Sequence, residues 1–240
     1  LQYDEPPDGY RLRDLLVPFL LVTPLILLTL VQPDLGTAVV LFLTFLSVIL
    51  MGGLRLRSFL CLVATGVTLM PIAWYFLKPY QQKRIWIFLN PDLDPLGAGY
   101  HVIQSKIAIG SGKLLGKGYL RGTQNQLDFL PAQHTDFIFS VFAEEWGFLG
   151  CLILLGLYFT LIAFSLRVGV RAKDRLGALL VFGMVTFFFW QVAINVAMVT
   201  GLLPVVGIPL PLLSYGGSSL VSMMVAVGLM MNVSMRRFTF

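Results

Sequence analysis

Long apolar runs separated by short polar links set the pattern of this 240-residue chain. A helix that crosses a bilayer needs about 20 largely apolar residues. Six runs have this character: Leu15–Val31, Leu35–Leu54, Phe59–Leu77, Phe137–Leu166, Gly177–Leu203 and Leu212–Val233. Pro18, Pro24 and Pro71 fall inside them, where neighbouring helices re-satisfy the backbone groups that proline frees. The fourth and fifth runs are long enough to tilt or to extend beyond the bilayer. The pattern predicts an all-α fold: a polytopic membrane protein with six transmembrane helices and one large outer loop, residues 78–136. With no internal repeat or low-complexity tract, residues 1–240 read as a single membrane domain.

Composition agrees with the pattern. Hydrophobic residues make up 57% of the chain and charged residues 12%, against about 25% charged in a soluble domain. Mean hydropathy is +0.84. A disordered chain, a disulfide scaffold and almost any soluble globular domain are excluded. The net charge of +5 would suggest nucleic acid in a soluble protein. In a chain this apolar it reads as topology signal and contact with anionic lipid, and no nucleic-acid partner is expected. Cys61 and Cys151 lie in apolar runs without a CxxC or Cys/His cluster, so metal-thiolate and redox chemistry are not expected. The chain begins at Leu1 with a polar segment to Tyr10. The expectation is a fragment cut from a larger membrane protein, with no signal peptide before it.

Charge orients the spans. Arg11 and Arg13 precede the first run, Arg55 and Arg57 separate the second from the third, Arg167, Arg171, Lys173 and Arg175 separate the fourth from the fifth, and Arg236 and Arg237 follow the sixth. The links Gln32–Asp34 and Pro204–Pro211 carry no Lys or Arg. The positive-inside rule then makes both ends cytoplasmic. The remaining seven Lys and Arg lie in residues 78–136, a long translocated loop to which that rule does not apply. Loops of this length are usually functional.

Within the loop, Trp86 is expected at headgroup depth. Residues 90–97 are a turn cluster. Residues 101–109 alternate as a helix with Val102, Ile103, Ile107 and Ala108 on one face, suited to lying in the interface or covering the outer ends of the spans. Residues 110–124 interleave glycines with Lys113, Lys117 and Arg121. Glycines let backbone N–H groups approach an anion, so a phosphate or pyrophosphate is the natural ligand; the bland alternative is a basic loop resting on anionic headgroups. A Walker P-loop is excluded, because Ser111 stands where its first glycine belongs and Gly118 follows Lys117. Asp136 stands at the outer mouth of the fourth run, where it or Thr135 is also a natural helix cap. Glu144 and Glu145 lie two turns further in. Carboxylates inside a span face a cavity or a partner, and an ion pair with another span or a catalytic role both fit. The segment Gly201–Ser218 carries three prolines and cannot be continuous helix; its Ser214, Gly216 and Gly217 read as structural or cavity-lining.

The stretches Gln32–Thr37, Asp94–His101, Gln104–Gly112, Gly122–Gln124, His134–Phe139 and Pro209–Ser219, in this order, resemble the SEDS family (shape, elongation, division and sporulation). The resemblance covers essentially the whole chain. Val206 stands where the division branch typically carries lysine, which favours the elongation branch. The resemblance implies a ten-span fold of which these are the last six, in the bacterial inner membrane. It implies a peptidoglycan glycosyltransferase that uses lipid II and works with a class B penicillin-binding protein and the elongation machinery. The family's essential aspartate matches Asp136, expected to act as general base or to hold a divalent cation (magnesium or manganese); no other cofactor is implied. A second acidic position is Asp128, with a shorter reach than the glutamate of many members. Lys113, Lys117 and Arg121, with Lys106 and Arg84, are expected to bind the pyrophosphate, and Gln124, His134 and Tyr215 to orient sugars. The rival functions are a lipid II flippase without catalysis, suited by the buried carboxylates and the broken segment, and a scaffold for the partner enzyme.

Overall fold

The computed structural model describes residues 10–90, 93–94, 97–123 and 134–236. Gln124 and Asp128 lie outside the described residues. The fold is all-helical: α1 (Leu16–Val31), α2 (Leu35–Met51), α3 (Leu56–Phe76), α4 (Pro79–Leu89), α5 (Ala98–Ser111), α6 (Ile138–Val170), α7 (Arg175–Val199) and α8 (Gly217–Arg236). Among the described residues the β-pairing is an isolated bridge between Tyr10 and Leu54. Four helical stretches are long and apolar enough to cross a membrane: Leu12–Val31, α6, α7 and α8. The expected second and third spans correspond to α2 and α3. At about 1.5 Å rise per residue, the 17 residues of α2 reach most of the way across a hydrocarbon core of about 30 Å. Leu21, Val31, Ile153, Phe159 and Val221 are each more than 60% exposed, which is the face such helices offer to lipid. The chain is an integral membrane protein.

Two compact units form. The first comprises Leu1–Lys78, Ser165–Trp190 and Val227–Phe240; the second comprises Pro79–Phe164 and Gln191–Ala226.

In the first unit the link Gln32–Asp34 works as a cap. Asp34 accepts from the Thr37 backbone N–H at 3.0 Å and from the Thr37 hydroxyl at 2.6 Å, satisfying a donor that the helix start would otherwise orphan. At the other end of α2 the Arg175 guanidinium donates to the Gly52 carbonyl at 2.7 Å and lies 5.6 Å from the Tyr10 ring centre. Tyr10, Leu15, Ile49 and Leu54 form a buried cluster flanked by Phe45, Phe59 and Leu62. Beside it an apolar groove of about 660 Å³ runs between α1, α2 and α3, lined among others by Leu16, Phe19, Phe42, Phe45, Val63 and Met70.

The second unit holds α4, α5, the first part of α6, the end of α7 and the start of α8. The segment between Val199 and Gly217 contains no helix, because Pro204, Pro209 and Pro211 lack the N–H a helix needs. For the same reason the fifth span stops short of Leu203 and the sixth starts after Leu212. Residues 98–111 do form a helix, but its buried face differs from the apolar stripe read in the sequence. Val102, Ser105 and Ala108 are buried, whereas Ile107 is 46% exposed. The Ser105 hydroxyl shares a hydrogen bond of 2.7 Å with Ser140 and donates to the Val199 carbonyl at 2.6 Å. Polar pairing, not apolar content alone, therefore selects the inward face of α5. Trp86 is half exposed.

Candidate functional site

Asp136 lies in the turn His134–Phe137 that leads into α6. Three consecutive carbonyls of this turn are each held by a different donor. His134 C=O accepts from the Tyr215 backbone N–H at 2.8 Å. Thr135 C=O accepts from the Ser214 hydroxyl at 2.6 Å. Asp136 C=O accepts from the Asn195 side-chain amide at 2.9 Å, and the same amide donates to Ile208 C=O at 2.6 Å. Ser214 also accepts from Leu210 N–H at 2.6 Å, and the Tyr158 hydroxyl donates to Pro211 C=O at 2.6 Å. Asn195 is fully buried, and its Oδ1 has no partner among the described residues. The broken segment 204–216 is thus the frame that fixes the aspartate's backbone.

The Asp136 carboxylate is half-buried. Its Oδ2 would stand 3.3 Å from a Cβ on Gly207, a residue at φ +73. Glycine there admits both the left-handed backbone and the close approach of the carboxylate. Of the residues expected to orient sugars, Tyr215 is 83% exposed and His134 is exposed, so both side chains remain open beside the aspartate's turn. Lys106 is exposed, and its ammonium end folds over Gly201, just past the end of α7, where a cation meets the negative end of a helix dipole. His101 packs edge-on against Phe137 at 6.3 Å. Burial holds its pKa below the ordinary histidine value, against the opposing pull of Asp94. Its Nδ1 is buried without a partner among the described residues.

The glycine-rich loop has a different role from that expected of its glycines. Residues 112–118 dock against a break in α6 at Gly147, which has φ 65 and ψ −166. A Cβ on Gly112 would collide with the Ala143 carbonyl, and one on Gly116 with the Glu145 carbonyl. One on Gly122 would stand 2.8 Å from Glu144 Oε2. Gly112 and Gly116 make room for a helix backbone, and Gly122 for the Glu144 side chain, where an anion was expected. Glu144 is indeed ion-paired, though with the glycine-rich loop and not with another span. Lys117 Nζ lies 2.6 Å from its Oε1, the side chains being 29% and 0% exposed. Thr123 donates to the same oxygen at 3.1 Å. Glu145 is buried beside it. Lys113 and Arg121 remain exposed. Arg84 stacks toward the Tyr80 ring at 5.9 Å.

Two contributors went unread in the sequence. Asn195 is one of two side-chain amides in the apolar run 177–203, and an amide at such depth is a signal in itself. Gly147 gave no signal that separates it from the glycines that stay helical. Among the described residues no three His, Cys, Asp or Glu side chains converge on a point. One carboxylate is a poor cage for a divalent cation, which takes several oxygen ligands.

The arrangement is a pinned carboxylate at the mouth of a span, beside a basic loop set into that span, in an integral membrane protein. A family model described as "Cell cycle protein", covering the FtsW, RodA and SpoVE proteins, matches residues 3–238. The chain belongs to this family. The peptidoglycan glycosyltransferase MrdB of Escherichia coli K12 is 50% identical over 212 residues, covering 88% of this chain and 57% of that protein. The peptidoglycan glycosyltransferase RodA of Treponema pallidum is 52% identical over 161 residues, 67% of this chain and 37% of the relative. Among solved structures, a chain from a peptidoglycan synthase complex superposes with a TM-score of 0.80 at 35% identity, over 99% of this chain and 66% of that one. The rod shape determining protein RodA of Thermus thermophilus matches with a TM-score of 0.64 at 31% identity, over 96% of this chain and 59% of that one. The chain thus matches between 37% and 66% of the length of these relatives.

Proposed function

We propose that this chain is the catalytic part of a peptidoglycan glycosyltransferase that polymerises lipid II for cell-wall elongation. The 4-hydroxyl of a lipid II GlcNAc attacks the anomeric carbon of the MurNAc at the end of a carrier-linked strand. The C–O bond to undecaprenyl pyrophosphate breaks with inversion, and the hydroxyl proton passes to Asp136. Such a base must be held where the hydroxyl arrives. The observation that carries the reading is the three-carbonyl clamp on residues 134–136, which fixes the backbone beneath a half-buried carboxylate. Lys113 and Arg121 supply positive charge for the departing diphosphate, and Tyr215 and His134 supply polar groups for the sugars. The whole sits in the bacterial inner membrane with both ends in the cytoplasm and residues 78–136 outside, in complex with a class B penicillin-binding protein. The test is glycan synthesis from lipid II by the full-length protein and its Asp136→Asn variant in detergent, with no membrane to cross. Strands from the wild type alone support the enzyme. Strands from neither, with lipid II moved across vesicles, favour transport.

A further inference from the structure

The break in α6 is mended by the loop, rung for rung. In an unbroken helix Phe148 N–H would donate to Glu144 C=O, and Leu149 N–H to Glu145 C=O. Here Phe148 and Leu149 donate instead to the Lys113 and Leu114 carbonyls at 2.9 and 3.1 Å. The two released carbonyls accept from the Lys117 and Gly118 N–H groups, both at 3.0 Å. Four bonds to residues 113–118 replace two helix rungs, so the two donors and two acceptors of those rungs all stay paired. Glycine is required on both sides. Gly147 and Gly116 have φ 65 and 78, and a Cβ on Gly147 would collide with the Gly116 nitrogen.

The same junction holds the buried ion pair. Lys117 Nζ contacts Glu144 Oε1 at 2.6 Å and donates to Thr123 Oγ1 at 2.8 Å. Glu144 has no exposed surface. A carboxylate buried to that extent loses far more when its counter-charge leaves than the pair gained on forming. Lys117 therefore cannot swing away to a substrate phosphate without stranding Glu144. Lys113, by contrast, is exposed and sits at φ 49, a left-handed conformation that costs a lysine energy and persists only where neighbours impose it. The bond from Phe148 N–H to its carbonyl is such a constraint.

We infer that Lys117 is a positioning residue and not a ligand of the substrate. With Glu144 it locks residues 113–118 into the break of α6, and the lock presents Lys113 and Arg121 as the cations that meet the diphosphate of the lipid carrier. The identity of that diphosphate rests on the glycosyltransferase reading; the lock does not.

The test compares lipid II polymerisation by the full-length protein and its Lys117→Met, Glu144→Gln and doubly substituted variants. If the pair acts as a lock, each single change raises the KM for lipid II by about tenfold with little effect on kcat. The double variant is then no worse than either single, as expected for two groups in one interaction. Lys117→Arg restores most of the loss. If Lys117 instead binds phosphate, Glu144→Gln frees its charge, and an unchanged or lowered KM for that variant overturns the inference. So does an unchanged KM in all variants with only less folded protein recovered. Hydrogen exchange gives a readout independent of activity. The Phe148, Leu149, Lys117 and Gly118 amides are expected to lose protection together, by about tenfold or more, in Lys117→Met. Unaltered protection there sinks the lock. A wild type that makes no glycan from lipid II would defeat the enzyme reading while the exchange experiment still decides the lock.

Discussion

In the first unit polar groups gather at helix ends, where Asp34 caps α2 and Arg175 closes the carbonyl of Gly52. In the second unit they sit inside. Glu144, Glu145, Ser105, Ser140 and Asn195 are all buried; Ser105 and Asn195 each donate to a carbonyl at a helix end, and Glu144 pairs with Lys117 at the break in α6. The helices α1–α3 of the first unit are more apolar than α4 and α5 of the second, but that alone does not say where the polar groups sit. What separates them is the backbone. A bilayer tolerates irregular main chain only where protein satisfies it, and every interruption therefore demands polar partners nearby. The broken helix and the proline-rich segment gather buried polar side chains around the candidate site, whereas Thr186, buried in the first unit, bonds only to carbonyls of its own helix.

The sharpest way to break this contrast is Asp136→Asn. Asn keeps the size and the backbone clamp but takes no proton, so glycan synthesis should fall by about 10²–10⁴-fold at matched amounts of folded protein. A loss of only a few-fold would reduce Asp136 to a residue at a helix start. Next, Asn195→Leu removes the donor from the carbonyls of Asp136 and Ile208. Leaving each unsatisfied costs about 1–3 kcal/mol, so thermal unfolding in detergent should come earlier and activity should drop with it. An unchanged unfolding temperature would mean that the clamp does not depend on Asn195.

Glycines offer a paired test of the two units. Gly112→Ala drives a methyl into the Ala143 carbonyl and should destabilise by about 1–3 kcal/mol. Gly66→Ala in α3 meets nothing within 4 Å and should stay within about 0.5 kcal/mol of wild type. Equal effects in thermal unfolding would erase the distinction. Asp34→Ala, in the first unit, should cost about 1 kcal/mol through the lost cap and leave lipid II turnover per folded molecule unaltered. The smallest effect concerns His101. Its pKa is held by burial below the ordinary value of 6.5, so the unfolded chain binds the proton first. Stability is therefore complete above that value and declines as pH falls below it toward the folded-state pKa. Against wild type, His101→Gln should flatten the fall in unfolding temperature between about pH 7 and pH 5; an identical slope would remove His101 from the account.

Much of this was visible in the residues. Apolar runs of span length located the six helices that became α1, α2, α3, α6, α7 and α8, because the length of such a run is set by the bilayer and needs no tertiary partner. Proline at 204, 209 and 211 announced the non-helical segment for an equally local reason. The position of Asp136 at a span mouth, the depth of Glu144 and the glycine and cation content of residues 110–124 were all legible. The role of the glycines was not. A glycine is chosen for room, and a sequence does not say what fills it. The chain's own helix fills it here, at Ala143 and Glu145.

The sequence by itself determined the solvent, the apolar helices and the non-helical segment along the chain, since hydropathy and the limits of proline act within a few residues. Only the tertiary structure decided which partner each polar group took. Lys117 went to Glu144 across 27 positions, and Asn195 went to Asp136 across 59. Those choices depend on which buried donors and acceptors the folded chain brings together, and a buried polar group must find a partner there.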